Sequence, residues 1–352
     1  MKKERQSNFE LLRIISMFFI VLYHTIWHGE ILKYTTGFHN ILMDILVLIC
    51  LVHVNSFIMT SGYFQCEKDI TWKKVLKLNN LNWFYRLVIF GIFLIFAIAP
   101  MTARDWYHSI IPLDFEYYWF IQVFLLLSIV SPLLNIVIRN IDQKKHQMIL
   151  LIGFLITTVL PLISNQMAFF NNGYTLYQFI YLYFVGAYFK KYPLKIKNKN
   201  KTRIYCALIF IVAVACNFGI TYLANRYQGQ NMILQELTTS FSSIKYLYNN
   251  PFVIVQTVSF FIFFLTLNFK NKWINQISAT TFGIYLLHDH PFVRNTIYQF
   301  LGLGDKIIGL RFYQLGLRVF AIAIGIFIIA ALIEFIRLKL SDILFKQKIK
   351  EG

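Results

Sequence analysis

Residues 9–28 read FELLRIISMFFIVLYHTIWH, a stretch that is apolar over most of its length. A chain needs about 20 apolar residues to cross about 30 Å of hydrocarbon as a helix, at about 1.5 Å per residue. Similar stretches recur, and 57% of the 352 residues are apolar whereas only 14% are charged. Soluble domains carry about 25% charged residues, so this composition excludes an ordinary water-soluble protein. The sequence predicts an all-α, polytopic membrane bundle.

Ten stretches have the length and hydropathy of a membrane span. They are residues 9–28, 41–64, 81–101, 117–138, 148–164, 174–189, 204–223, 251–269, 274–291 and 312–336. The ninth is short and ends in the polar sequence His288-Asp289-His290. The first contains Arg13 and His24 and lacks a small-residue cleavage motif, so we interpret it as a retained helix and not a signal peptide.

The basic residues are distributed unevenly around these spans. If the N-terminus is cytoplasmic, 25 of the 34 Lys and Arg residues fall on the cytoplasmic side and seven on the outer side. This asymmetry follows the positive-inside rule and predicts that both termini are cytoplasmic. The net charge of +18 is spread over short clusters between apolar runs, which argues against nucleic-acid binding. We expect one transmembrane domain over residues 1–352, with a short basic cytoplasmic tail over about 338–352.

The first span carries ionisable residues, which are costly inside a membrane and are therefore functional candidates. Arg13 and His24 are separated by about three helical turns, or about 16 Å, with an angular offset of only about 20°. One face of the helix thus bears a cation near the cytoplasmic surface and an imidazole beyond the middle of the membrane. The structural alternative is that Arg13 extends to lipid headgroups and pairs with Glu10, while His24 bonds to a neighbouring helix.

Other polar and aromatic residues allow structural readings as well. His24 and His28 have the i,i+4 spacing of a metal pair, but no acidic residue shares their turn, so we expect no metal. His288 and Asp289 fit an interfacial histidine beside a capping aspartate better than a metal site. Trp119 fits an aromatic belt at the membrane interface.

Four segments in order resemble the bacterial family-3 membrane acyltransferases, especially those of capsule and exopolysaccharide gene clusters. Arg13 and His24 form an R-x10-H pattern on the first helix. The others are Asn55–Phe64 (NSFIMTSGYF), the run from Tyr118 through Ser131 to Asn135, and Ile277–Arg294 (ISATTFGIYLLHDHPFVR). The resemblance is to members that act without a fused extracytoplasmic domain.

This resemblance implies O-acyl transfer from acetyl-CoA to a hydroxyl of a polysaccharide or a lipid-linked glycan, in the bacterial cytoplasmic membrane. Histidine has an ordinary pKa near 6.5 and suits the general base, a role we assign to His24. Arg13 is expected to hold a coenzyme A phosphate, and Arg13 and Glu10 are expected to belong with His24 to the catalytic site. The expected acceptor contacts are His288, Tyr285 and Trp119.

Three alternatives remain open for the route of the acyl group, because the donor is cytosolic whereas His24 is predicted in the outer half of the membrane. The thioester enters a polar channel, the acceptor is presented from within the membrane, or an acyl-enzyme forms.

Two other classes of protein fit the spans: a transporter or flippase, and a non-catalytic subunit of a polysaccharide synthase. Transporters show inverted repeats or paired broken helices, which the sequence does not clearly contain.

Overall fold

The computed structural model describes residues 5–68, 72–98, 100, 102–111, 117–163, 173–227, 235 and 242–350, without the side chains of 224–225 and 345–350. Helices dominate these residues, and none of them forms a β-strand. The helices are α1 (Ser7–His28), α2 (Ile31–Tyr34), α3 (Gly37–Cys50), α4 (Val52–Gln65), α5 (Trp72–Ile95), α6 (Ala103–Ile110), α7 (Trp119–Asn140), α8 (Gln143–Phe154), a π-helical turn (Leu155–Val159), α9 (Leu160–Ile163), α10 (Leu176–Lys191), α11 (Lys199–Arg226), α12 (Pro251–Leu265), α13 (Lys272–Ser278), α14 (Thr281–His288), α15 (Pro291–Phe300), a 3₁₀ turn (Gly304–Ile307) and α16 (Phe312–Lys350).

Seven helical segments of the described chain are long and apolar enough to cross a membrane, and they correspond to seven of the ten predicted spans. They are Ser7–His28, Gly37–Gln65, Trp72–Ile95, Trp119–Asn140, Gln143–Leu162, Lys199–Leu223 and Phe312–Leu344. The protein is therefore a polytopic helical membrane protein. Its orientation, with both termini cytoplasmic, stays a prediction.

The three other predicted spans correspond to shorter helices. Helices α10 and α12 have 16 and 15 residues. The predicted span 274–291 is divided into α13 and α14, because the helix breaks at Ala279 and Thr280. Hydroxyl side chains stabilise this break: Thr280 Oγ1 donates to the Ile277 carbonyl oxygen at 2.8 Å, and Thr281 Oγ1 donates to that of Ser278 at 2.9 Å. Such local side-chain bonds compete with continuous helix.

The boundaries of the third and the last predicted spans differ from those of the helices. The third span begins nine residues before the predicted 81, because the helix continues through a basic turn that the hydropathy pattern does not include, and it ends at Ile95. Ala97 beyond it has a φ of 47°, which is incompatible with further helix. The last helix extends through the predicted basic tail to Lys350.

The chain forms two compact units. The first comprises residues 1–43, 81–112 and 270–352, and the second comprises 44–80 and 113–269. In the first unit α1 packs against α13, α14 and α16. Its buried core includes Leu12, Val21 and Ile26 of α1.

In the second unit, α4 and α10 cross in direct backbone contact at two glycines. A Cβ atom at Gly186 would overlap the Met59 carbonyl, and one at Gly62 would overlap that of Tyr183. Small residues at helix crossings allow this approach in membranes, where dispersion and packing drive helix association. The crossing therefore depends on the absence of two side chains.

We expect Gly186→Ala to destabilise the protein by about 1–3 kcal/mol, because the helices must separate to admit the methyl group. The measurement is thermal unfolding of the purified protein in detergent, followed by circular dichroism. Gly219→Ala is the matched control, since Gly219 lies within α11 and a Cβ there would meet nothing within 4 Å. Equal melting temperatures for the two variants would show that the crossing tolerates a side chain.

Candidate active site

A cluster of polar side chains in the first unit joins the end of α1 to the break between α14 and α15. Helix α14 ends at His288, and the backbone N–H of its C-cap residue Asp289 donates to the Tyr285 carbonyl oxygen at 3.1 Å. Helix α15 then begins at Pro291, a residue favoured at the first helical position. The His-Asp-His-Pro sequence is thus a helix junction, and it places His288 and Asp289 beside α1.

The two histidines predicted separately, His24 and His288, form a hydrogen bond with each other. His288 Nδ1 lies 2.6 Å from the Ile284 carbonyl oxygen, which can only accept, so this nitrogen carries a hydrogen. In the neutral ring Nε2 is then an acceptor, and it lies 3.0 Å from His24 Nδ1. His24 Nδ1 is therefore the donor. This chain of bonds selects the tautomer of His24 that has its lone pair on Nε2.

Asp289 is the acidic residue of this cluster. Its Oδ1 lies 3.5 Å from His24 Nδ1, 3.8 Å from His28 Nε2 and 3.4 Å from Arg294 Nη1. A buried carboxylate near an imidazole favours the protonated ring, as in hydrolytic triads. His24 can therefore take up a proton at Nε2 with Asp289 stabilising the resulting imidazolium.

Sequence reasoning did not identify Asp289 and Arg294 as parts of the site. The acidic partner of His24 and His28 does not lie on their own turn but at the junction of α14 and α15, more than 250 positions along the chain. The available signal was the polar His-Asp-His sequence at the end of an apolar segment.

His24, His28 and Asp289 also have a spacing that a metal ion can use, since one ligand atom from each lies within 4.8 Å of the others. Two contacts compete with this use. The Arg294 guanidinium already places a cation on Asp289 Oδ1, and His24 Nδ1 is directed at His288. That the protein needs no metal stays our prediction.

Arg13 and Glu10 form a second cluster near the start of α1. Arg13 Nη1 lies 3.3 Å from each carboxylate oxygen of Glu10, and Ser278 Oγ donates to Glu10 at the break between α13 and α14. Glu10 is buried, whereas about 33% of the Arg13 side chain is exposed. The pairing expected at i,i+3 is thus present, and Arg13 keeps an accessible surface.

The remaining predicted contacts lie in different places. Tyr285 is buried in α14, and its ring centroid lies 6.4 Å from that of His288. Trp119 belongs to the second unit, where its ring lies 4.3 Å from that of Tyr174 and 5.7 Å from that of Tyr248. It is part of an aromatic cluster there.

A close contact with α16 supports α14, the helix that carries His288. A Cβ atom at Gly283 would overlap the side chain of Glu334 on α16. Glu334 is buried, accepts a hydrogen bond from Tyr85, and forms a two-pronged ion pair with Arg337 at 2.6 Å for both bonds. The absence of a side chain at 283 lets this carboxylate reach the helix that carries His288.

The apolar helices define a membrane protein, and its first unit contains a cluster of histidines and a carboxylate. Residues 6–335 match the model of a family described as an acyltransferase domain, and the chain belongs to this family. No curated protein and no solved structure matches the chain. The family covers nearly the whole chain, including both clusters on α1.

Proposed function

We propose that the protein is an O-acyltransferase that moves an acetyl group from acetyl-CoA to a hydroxyl of a polysaccharide or a lipid-linked glycan. The observation that carries the proposal is the hydrogen-bonded chain from Ile284 through His288 to His24, because it leaves the basic nitrogen of His24 in one defined tautomer. Membership of the acyltransferase family favours this reaction over transport. The bacterial cytoplasmic membrane is its proposed location.

In the proposed reaction the acceptor hydroxyl attacks the thioester carbonyl carbon while His24 Nε2 takes its proton. The tetrahedral intermediate then collapses as the C–S bond breaks. The coenzyme A thiolate leaves and takes the proton from the imidazolium, which regenerates neutral His24. Asp289 stabilises the imidazolium between these steps, and such proton transfer contributes about 10²–10⁴-fold to a rate.

The test of this function uses membranes that contain the protein, acetyl-CoA labelled in the acetyl group, and a glycan-lipid fraction from the host. We expect label in the glycan, released by mild base as an ester. Membranes without the protein are the control. No label with acetyl-CoA or with other acyl-CoA donors would contradict the proposal and favour transport.

We propose that Arg13 binds a phosphate of coenzyme A, since its guanidinium is accessible and can pair with phosphate oxygens in a bidentate manner. Arg13→Ala is expected to raise the KM for acetyl-CoA about tenfold or more, with a smaller change in kcat. Arg13→Lys is expected to recover part of the affinity, because lysine keeps the positive charge but lacks the planar guanidinium that binds phosphate in a bidentate manner. The measurement is the rate of labelled transfer against acetyl-CoA concentration.

Arg104→Ala is the matched control, because Arg104 is an exposed arginine of α6. The melting temperature of each variant shows whether loss of the Glu10 ion pair destabilises the protein. A raised KM with an unchanged melting temperature then reports weaker donor binding. An unchanged KM for acetyl-CoA in Arg13→Ala would contradict the phosphate-binding role.

A further inference from the structure

A polar cavity of about 550 Å³ opens beside the end of α1 in the first unit. Its walls come from the last residues of α1 and those that follow it, from α15 and from the 3₁₀ turn. The residues that line it include Trp27, His28, Glu30, Arg294, Asn295 and Gln299. This volume is in the ordinary range for small-ligand pockets, about 300–1,000 Å³.

The wall next to α1 has an unusual backbone. Glu30 has a φ of 52° and a ψ of 27°, a left-handed conformation that a non-glycine residue adopts at a cost. The Gly304 N–H donates to the Gly29 carbonyl oxygen at 3.0 Å and joins this turn to the 3₁₀ segment. The chain therefore turns at Glu30, and the hydrogen bond to Gly304 fixes this turn in the wall of the cavity.

The charges around the cavity are balanced. Two acidic residues, Glu30 and Asp305, and two basic residues, Arg294 and Lys306, line it. Arg294 contacts Asp289, and Glu30 contacts Lys33 at 3.2 Å. A pocket for the several phosphates of coenzyme A requires an excess of cations, so this charge balance suits an uncharged ligand.

The other lining groups suit a polyhydroxylated ring. Asn295 and Gln299 lie exposed on α15, and each amide both donates and accepts hydrogen bonds, as hydroxyl groups require. Trp27 is 45% exposed and presents an aromatic surface, with its ring stacked 5.7 Å from that of Tyr23. Aromatic faces with a few placed polar groups are typical of ligand sites of this kind.

The cavity adjoins the proposed base. His28 lines the cavity, its ring centroid lies 4.9 Å from that of His24, and its Nε2 lies 3.8 Å from Asp289. A sugar ring bound here therefore lies against His28, the ring that packs on the proposed base His24.

We propose that this cavity is the acceptor pocket and binds one uncharged sugar ring of the glycan, with Asn295 and Gln299 as residues that determine specificity. This inference rests on the proposed acyltransferase function. It assigns acceptor recognition to Asn295 and Gln299 on α15, whereas His24 and His288 lie on α1 and α14. The proposed acceptor site also differs in charge from the proposed site of the donor phosphates, because its charges are balanced.

The first test is steady-state transfer by Asn295→Ala and Gln299→Ala. We expect the apparent KM for the glycan acceptor to rise about threefold to tenfold in each variant, since each loses a hydrogen bond. The KM for acetyl-CoA is expected to stay within twofold of the wild-type value. A rise in the acetyl-CoA KM with an unchanged acceptor KM would overturn the assignment.

The second test measures occupancy directly. Asn295→Cys is made in a Cys216→Ser background, because Cys216 is exposed whereas Cys50, Cys66 and Cys206 are buried. We expect the glycan-lipid fraction that wild type acylates to slow labelling by a polar maleimide at 295 at least fivefold. Thr296→Cys is the matched control, since Thr296 is exposed on the same helix and does not line the cavity.

Equal labelling of Asn295→Cys with and without glycan, while wild type still transfers label, would overturn the acceptor pocket and leave the proposed function intact. Equal protection at positions 295 and 296 would also overturn it, since the effect would then not be specific to the cavity. Failure of wild type to acylate any glycan would overturn the proposed function and this inference with it.

Discussion

Replacing His24 with Ala is expected to lower acyl transfer by about 10²–10⁴-fold, the contribution of a general base. The reason is the position of Nε2, which carries the lone pair once Nδ1 donates to His288. We expect the KM for acetyl-CoA to change little, because Arg13 lies about three turns away on the same helix. The measurement is labelled transfer under saturating donor and acceptor, with protein levels matched by immunoblot.

His108→Ala provides the matched control, since it removes an imidazole from α6, at a position that contributes to neither cluster on α1. Its activity is expected within twofold of wild type. Undiminished transfer by His24→Ala would contradict the role of His24 as base and leave membership of the acyltransferase family unaffected.

The second large effect is expected for His288→Ala. His288 is buried and its two ring nitrogens bond to Ile284 and His24, which supports a positioning role. Without it His24 loses the partner that fixes its tautomer and ring orientation. A displacement of about 1 Å at a catalytic group can cost about 10²-fold, so we expect kcat to fall about 10–100-fold.

Kinetic constants distinguish this role from the acceptor contact that the sequence suggested for His288. Positioning predicts a lower kcat with both KM values unchanged within about threefold. A raised KM for the glycan with an unchanged kcat would contradict positioning and favour direct contact with the acceptor. His288→Gln keeps a hydrogen-bond acceptor for His24, and we expect it to recover part of kcat.

Hydropathy predicted the long helices because an apolar run long enough to span a bilayer is a local property of the chain. Seven predicted spans correspond to such helices. Helix α10 has 16 residues, the same length as its predicted span, whereas α12, with 15 residues, is shorter than the predicted 251–269. The break between α13 and α14 depends on Thr280 and Thr281 bonding to nearby carbonyls. Hydropathy does not register this, because threonine is tolerated in apolar helices.

Contacts of the site within one helix could be predicted from the sequence, whereas contacts between segments far apart in the chain could not. The Arg13–Glu10 pair follows from i,i+3 spacing on one helix. His24 and His288 were identified individually, but their hydrogen bond joins residues 264 positions apart. Asp289 was read as a helix cap because nothing in its own segment indicates a partner on α1. The cavity beside His28 depends on three separate elements and leaves no pattern in the sequence.

The contact between Gly283 and Glu334 has a consequence for variation of this chain. A library that randomises position 283 alone will return glycine, because any larger residue collides with a carboxylate that Tyr85 and Arg337 hold in place. We expect a larger residue at position 283 to be tolerated only when a smaller residue replaces Glu334 at the same time. Since position 283 lies on the helix that carries His288, we expect changes at this pair also to move His288, the hydrogen-bond partner of His24.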